Sequence, residues 1–166
     1  MANDVTSLAP PPEMENFVQC ILGKRCWHVS TPELWRPSFS LALGGKIERR
    51  RIMPNADDPF STHYGEAGIY VWGSWRLDGD SGPLASSAQE FQVYSPILQR
   101  ALSGLEPVAI RIKPPAWDLT ISFSGEVRLT VFCHLLAEDS TNWLVHDVSR
   151  QLMAGPGYKW EILTLP

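Results

Sequence analysis

Apolar residues recur with two periods along this chain. In "PPEMENFVQCILGK", Met14, Phe17, Val18, Ile21 and Leu22 fall at i, i+3, i+4, i+7 and i+8, the stripe of an amphipathic helix. Pro12 suits the first turn, and Gly23 suits the residue just past the end. "YSPILQRALSGLE" repeats the pattern with Ile97, Leu98, Ala101 and Leu102. There Ser95 is expected to cap, Pro96 to take the first helical position and Gly104 to stop the helix. The other period is two. Phe39, Leu41 and Leu43 alternate with Ser40 and Ala42, and Leu119, Ile121 and Phe123 alternate with Thr120 and Ser122. Each run meets a glycine-containing pair, Gly44-Gly45 or Ser124-Gly125, before a second run, so both read as β-hairpins.

The two halves align without a gap. Phe17 and Ile97 stand 80 positions apart, as do Leu22 and Leu102, Leu41 and Ile121, and Gly45 and Gly125. Further β-prone runs flank each hairpin: "RCWHVS" and "PVAIRIK" before, "GIYVWGSWRLD" and "NWLVHDV" after, with "KWEILTLP" at the close. Each half therefore reads as a short helix followed by about four antiparallel strands. The expected fold is α+β: a β-rich sandwich or partly closed barrel built from two pseudo-two-fold repeats. Residues 1–12 are expected to be disordered. Residues 13–166 form a single domain of two repeats, 13–82 and 95–166, sharing one core because each alone buries too little. "MPNADDPFSTHYGEAG" and "DGDSGPLASSAQEF" read as the long loops, "AEDSTN" and "MAGPGYK" as shorter turns.

The chain has 166 residues, a net charge of −4 and 44% hydrophobic content. That is enough for one folded domain and gives no reason to expect nucleic acid as a partner. No apolar run reaches bilayer length and the start lacks a signal-peptide pattern, so no membrane association is expected and the cytoplasm is the default compartment. Cys20, Cys26 and Cys133 read as reduced thiols.

The copies differ in one place. Val127, Leu129 and Val131 have Ile47, Arg49 and Arg51 as their counterparts, and Arg50 adds a further charge. Burying unpaired guanidinium groups is costly. Three readings fit: an edge strand protected by charge, ion pairs with Asp57, Asp58 or Glu66, or a strip that binds anions or a protein partner. Seven tryptophans are many for this length. Trp75, Trp117 and Trp143 lie in or at strands and read as core, whereas Trp35 and Trp72 read as exposed. Arg49, Arg50, Arg51, Trp35 and Trp72 are therefore the candidate partner-binding residues.

The remaining polar residues match no catalytic or metal signature. Cys26 with His28, and Cys133 with His134, match no zinc spacing. His146, Asp147 and Ser149 are triad residue types without a nucleophile elbow. In "LDGDSG", Asp78 and Asp80 have calcium-like spacing, but Gln89 stands where the bidentate acid belongs, so the stretch reads as a turn. "AGPGYK" matches no phosphate loop. Trp117-Asp118 and Glu138-Asp139 hold acids with no identifiable partner carboxylate. No catalytic residue, metal site or cofactor is assigned.

"AWDLTISFSGEVRLTVFC" resembles the motif W-x-L-x-[IL]-x-F-x-[DNS]-G-x-x-L-x-[IV]-F of small bacterial proteins of unknown function. "LGKRCWHVS", "SWRLD" and "GPGYKWEI" follow in the same order. The usual turn acid is replaced here by Ser124, and by Gly44 in the first copy. The resemblance implies an immunity- or antitoxin-type protein and carries over no catalytic residues. The expected function is thus non-enzymatic binding of another protein, a bacterial toxin or effector being the kind of partner implied. The alternative is a small-ligand domain taking an anion or sugar between the halves. The third is an enzyme whose site uses His146, Asp118 and loop residues. Homodimerisation through the first-half edge strand is compatible with all three.

Overall fold

Both amphipathic stripes become helices. The computed structural model describes residues 9–54, 59–133, 141–155 and 159–166. Helix α1 (Pro12–Val18) tightens into a 3-10 turn at Gln19–Ile21 and buries Met14, Phe17, Val18 and Ile21. Gly23 then takes φ +71°, which glycine adopts without steric cost. Helix α2 (Phe91–Leu102) begins four residues before Ser95, after Glu90. Ser95 is therefore not a cap, and Pro96 lies inside the helix. The earlier start has an apolar cause. Phe91 and Tyr94 meet edge to face, and Tyr94 does the same against Trp75, so the first turn is anchored in the core.

Among the described residues there are eleven strands, five between the helices and six after α2: β1 (Cys26–Ser30), β2 (Phe39–Glu48), β3 (His63–Val71), β4 (Ser74–Gly79), β5 (Gly82–Ser86), β6 (Pro107–Lys113), β7 (Asp118–Phe123), β8 (Val127–Phe132), β9 (Trp143–His146), β10 (Arg150–Ala154) and β11 (Trp160–Thr164). They form two antiparallel sheets, β1-β2-β3-β9-β10-β11 and β5-β4-β8-β7-β6. The sheets pack as a sandwich and close no barrel. Alternate residues of both sheets, among them Leu41, Ile69, Leu77, Ile121 and Leu129, join the buried faces of both helices in one core. The core is thus built from both halves.

The second hairpin is as the pattern predicts: β7 and β8 are joined by Ser124–Glu126, with Gly125 at φ +75°. The first is not a hairpin. Gly44 and Gly45 lie in a bulge within the continuous strand β2, between Leu43 and Lys46. Gly44 has φ +74°, and a Cβ there would sit 2.6 Å from Glu66 Cγ. The glycines make room for the Glu66 carboxylate, which pairs with Lys24 and accepts the Gly45 N–H. Two glycines suit either role, and a contact 22 positions along the chain, from Gly44 to Glu66, decides between them. β2 is flanked by β1 and β3, so it is no edge strand, and homodimerisation cannot use it as one.

Other boundaries move too. "GIYVWGSWRLD" contains parts of two strands, because the chain leaves the first sheet after Val71 and enters the second at Ser74. β5 lies within a stretch read as a loop, and β10 runs from unassigned residues into the stretch read as the turn "MAGPGYK". Among the described residues the first half thus has five strands and the second six. His134, Asp57, Asp58, Glu138, Asp139 and part of "AGPGYK" lie outside the described residues.

Several contacts recur between the halves. Leu41 pairs with Ile69 as Ile121 pairs with Leu129. β1 is irregular between Cys26 and His28, and β6 between Pro107 and Ala109. Val71 faces Trp143, and Val131 faces Trp75. Trp75 Nε1 donates to Pro37 O and Trp143 Nε1 to Trp117 O, both at 2.8 Å. Gly23 N–H donates to Pro107 O at 2.9 Å, and Gly104 N–H to Cys26 O at 2.7 Å.

Candidate interaction surfaces

The segment between β1 and β2 is a short loop pinned along its length. Thr31 is buried, with its hydroxyl 2.6 Å from Ser95 Oγ and accepting from Gln99 Nε2 at 3.2 Å. Glu33–Trp35 form a 3-10 turn. Arg36 closes that turn by pairing with the Glu33 carboxylate and donating to Glu33 O, and its guanidinium lies 5.2 Å from the Phe91 ring centre. Pro37 O is held by the Trp75 indole. The loop's tip nevertheless faces water. Leu34 is 94% exposed and Trp35 69%.

Trp72 is also exposed and stacks on Tyr70, with ring centres 5.6 Å apart. Phe39 pairs with Val71, so Trp35 and Trp72 lie at the same end of the β2–β3 ladder. Arg49, Arg50 and Arg51 follow the other end of β2. Ten strand residues span roughly 30 Å. The five candidate residues therefore divide into two places.

The arginines divide again. Arg50 and Arg51 are exposed, whereas Arg49 is half-buried. Arg49 Nε donates to Phe60 O at 2.9 Å, and its guanidinium lies over the Phe60 and Tyr64 rings at 4.5 and 5.5 Å. His28 stacks on the same Phe60. Arg49 thus fastens the β2–β3 connection to the sheet, and a cation held on aromatic faces keeps part of its stabilisation out of water. Glu66, one of the acids considered for these arginines, is paired with Lys24 instead.

The catalytic readings meet different geometry. His146 is on β9 and Asp118 on β7, in different sheets. Asp118 Oδ1 accepts the Cys133 N–H at 2.7 Å, a structural bond. Asp147 Oδ1 accepts from Ser149 N–H, Ser149 Oγ and Arg150 N–H, so it shapes a turn. His146 Nδ1 lies 3.2 Å from the Asp147 main-chain oxygen, not its carboxylate. Burial holds the His146 imidazole below its ordinary pKa, the nearby Arg49 charge adds to this, and Asp147 opposes it. Burial also raises the thiols of Cys20 to about 11, and of Cys26 and Cys133 to about 12, so they are protonated at neutral pH.

Asp78 pairs with Arg76 beside the tight β4–β5 turn, where Gly79 faces Gly82. Among the described residues no three His, Cys, Asp or Glu side chains converge as metal ligands, and no helix is long and apolar enough to cross a membrane. Where the halves meet, among the described residues, core side chains including Trp75 and Trp143 pack together.

Trp75, Trp117 and Trp143 are buried, as their places in the pattern predict. Leu34 was not anticipated. Its signal is local: a Leu-Trp pair between Pro32 and Pro37, where no period buries either side chain. Comparison with protein-family models, curated proteins and solved structures returned no match.

Proposed function

We propose that this chain is a non-enzymatic protein-binding module whose main contact is the Leu34–Trp35 loop. One observation carries the reading: two large apolar side chains stand exposed on a loop held by Arg36, Pro37 and Thr31. A fixed loop loses little entropy on docking, and a central Trp is a frequent energetic anchor of interfaces. Trp72 extends the same end of the sheet. Arg50 and Arg51 form a separate charged site that contributes by steering. The partner class suggested by the hairpin motif is a toxin or effector protein. Three protonated, unpaired thiols are consistent with the reducing cytoplasm.

We also infer that the architecture arose by duplication of a unit of about 80 residues. In this reading each copy places three strands in one sheet and lends the rest to the other, two from the first copy and three from the second. The recurring registers, the bulges in β1 and β6, and the paired indole bonds support it.

The test is affinity capture with the tagged full chain and two double variants. Leu34→Ala with Trp35→Ala should lose a stoichiometric protein partner while unfolding at an unchanged midpoint, since exposed substitutions usually stay within about 0.5 kcal/mol. Arg50→Ala with Arg51→Ala should retain it with a weaker salt dependence. Capture that survives loss of Leu34 and Trp35, or no stoichiometric partner for the native chain, would overturn the proposal.

A further inference from the structure

Among the described residues β6 is the outer strand of the five-stranded sheet and pairs only with β7. Its open side runs beside α1. Together they form a groove of about 540 Å³ lined by Glu15, Val18 and Gln19 of the helical segment and by Ile110, Arg111 and Ile112. The corresponding groove between α2 and β1 holds about 370 Å³. There Thr31, Ser95 and Gln99 lash helix to strand. Counting along the paired registers places Ile112 where Thr31 stands, and the offset of 80 places Glu15 and Gln19 at Ser95 and Gln99. The polar lash is gone. Gln19 Nε2 donates within its own helix, to Glu15 O.

Among the described residues no further strand pairs with this edge. Pro107 O accepts from Gly23 N–H. Beyond that, among the described residues, the outward main-chain groups of β6 meet no other element. Arg111 and Lys113 are exposed and form no ion pair among the described residues.

We propose that this edge accepts an extended acidic segment of a protein partner as an added strand. Main-chain bonds to β6 supply the register, the groove takes alternate side chains, and Arg111 and Lys113 meet the acids. Charge decides between this occupant and a second copy of the chain. Two β6 edges brought together would juxtapose like charges, which opposes self-pairing, whereas an acidic strand is attracted. The site is remote in sequence and sheet from the Leu34–Trp35 loop and does not depend on it.

The experiment is fluorescence anisotropy of the full chain with a labelled seven-residue peptide alternating Val and Glu. Comparison probes are its Val-Lys counterpart and a version N-methylated at alternate residues. The acidic peptide should bind and the lysine peptide should not. N-methylation at the three or four residues whose N–H faces β6 removes those donors without changing charge and should weaken binding by at least about tenfold. Arg111→Ala with Lys113→Ala should weaken it comparably, while Leu34→Ala with Trp35→Ala leaves it unchanged. No binding, equal binding of the lysine peptide, or indifference to N-methylation would each overturn the proposal. So would β6 amides already protected from hydrogen exchange in the free chain. Protection lost on dilution would assign the edge to a second copy, and protection lost on deleting residues 1–8 to the chain's own start.

Discussion

Trp75 and Trp143 put the proposed duplication to a quantitative test. Both rings are buried, at 1% and 0% exposure, and each indole donates to a carbonyl at 2.8 Å. Phenylalanine at either position removes the donor and shortens the ring. A buried acceptor left without a partner costs about 1–3 kcal/mol. The cavity adds about 1 kcal/mol, since complete truncation of a core Trp costs about 3–5 and Phe keeps much of the ring. Each substitution should therefore cost about 2–4 kcal/mol, within the total of about 5–15 kcal/mol expected of a domain, so both variants remain folded enough to measure. The two need not be identical. Trp117 O also accepts from Cys133 Sγ at 3.2 Å, so Trp143→Phe leaves that carbonyl one partner. No second donor to Pro37 O is seen among the described residues, and Trp75→Phe should fall at the upper end. Urea unfolding supplies the assay, read as a shift of midpoint at constant m-value, with Trp35→Phe as the exposed control. A loss below about 1 kcal/mol in both would refute the claim that these bonds secure the sheet crossings. A difference above about 2 kcal/mol would refute their equivalence.

Gly44→Ala should destabilise the chain by about 2–3 kcal/mol: about 1–2 for a side chain at positive φ, the rest for displacing Glu66. In a Glu66→Ala background only the backbone part should remain. Equal cost in both backgrounds, by thermal unfolding, would show that the glycines do not accommodate that carboxylate. His146 gives a pH signature. Its folded pKa is lowered by burial, so below about 6.5 the unfolded chain binds a proton that the folded chain refuses. Its stability contribution is therefore full above about pH 6.5 and declines as pH falls towards the folded value, at no more than about 1.4 kcal/mol per pH unit. His146→Gln should flatten the decline; an unchanged slope in urea midpoints between pH 7 and 5 would refute the assignment.

The legible parts of this fold are those where local pattern and tertiary role coincide. Alternation in Leu119–Phe123 marks a core face, and β7 is buried on that face because nothing else in the sequence competes. The tryptophans sort correctly for the same reason: Trp75 and Trp143 interrupt apolar strands, whereas Trp35 sits between prolines. Arg49 departs from the single strip that its neighbours Arg50 and Arg51 suggest, because Phe60, 11 positions away, accepts from its Nε and lies under its guanidinium, leaving it half-buried. Periodicity also identifies a strand's face without identifying its sheet. β3 and β4 are separated only by Trp72 and Gly73, yet belong to different sheets. The reason is energetic. β1–β3 and β6–β8 each carry an apolar face, and each half's helix packs on strands of the other half, α1 beside β6 and α2 beside β1. β9 pairs with β3, and β4 pairs with β8, so each half extends the other's sheet and brings a buried Trp to the junction. A strand kept in its own sheet would leave that Trp at an edge. Burying each indole between the sheets therefore favours crossing, and the shared core follows from the crossing rather than from docking of two finished units.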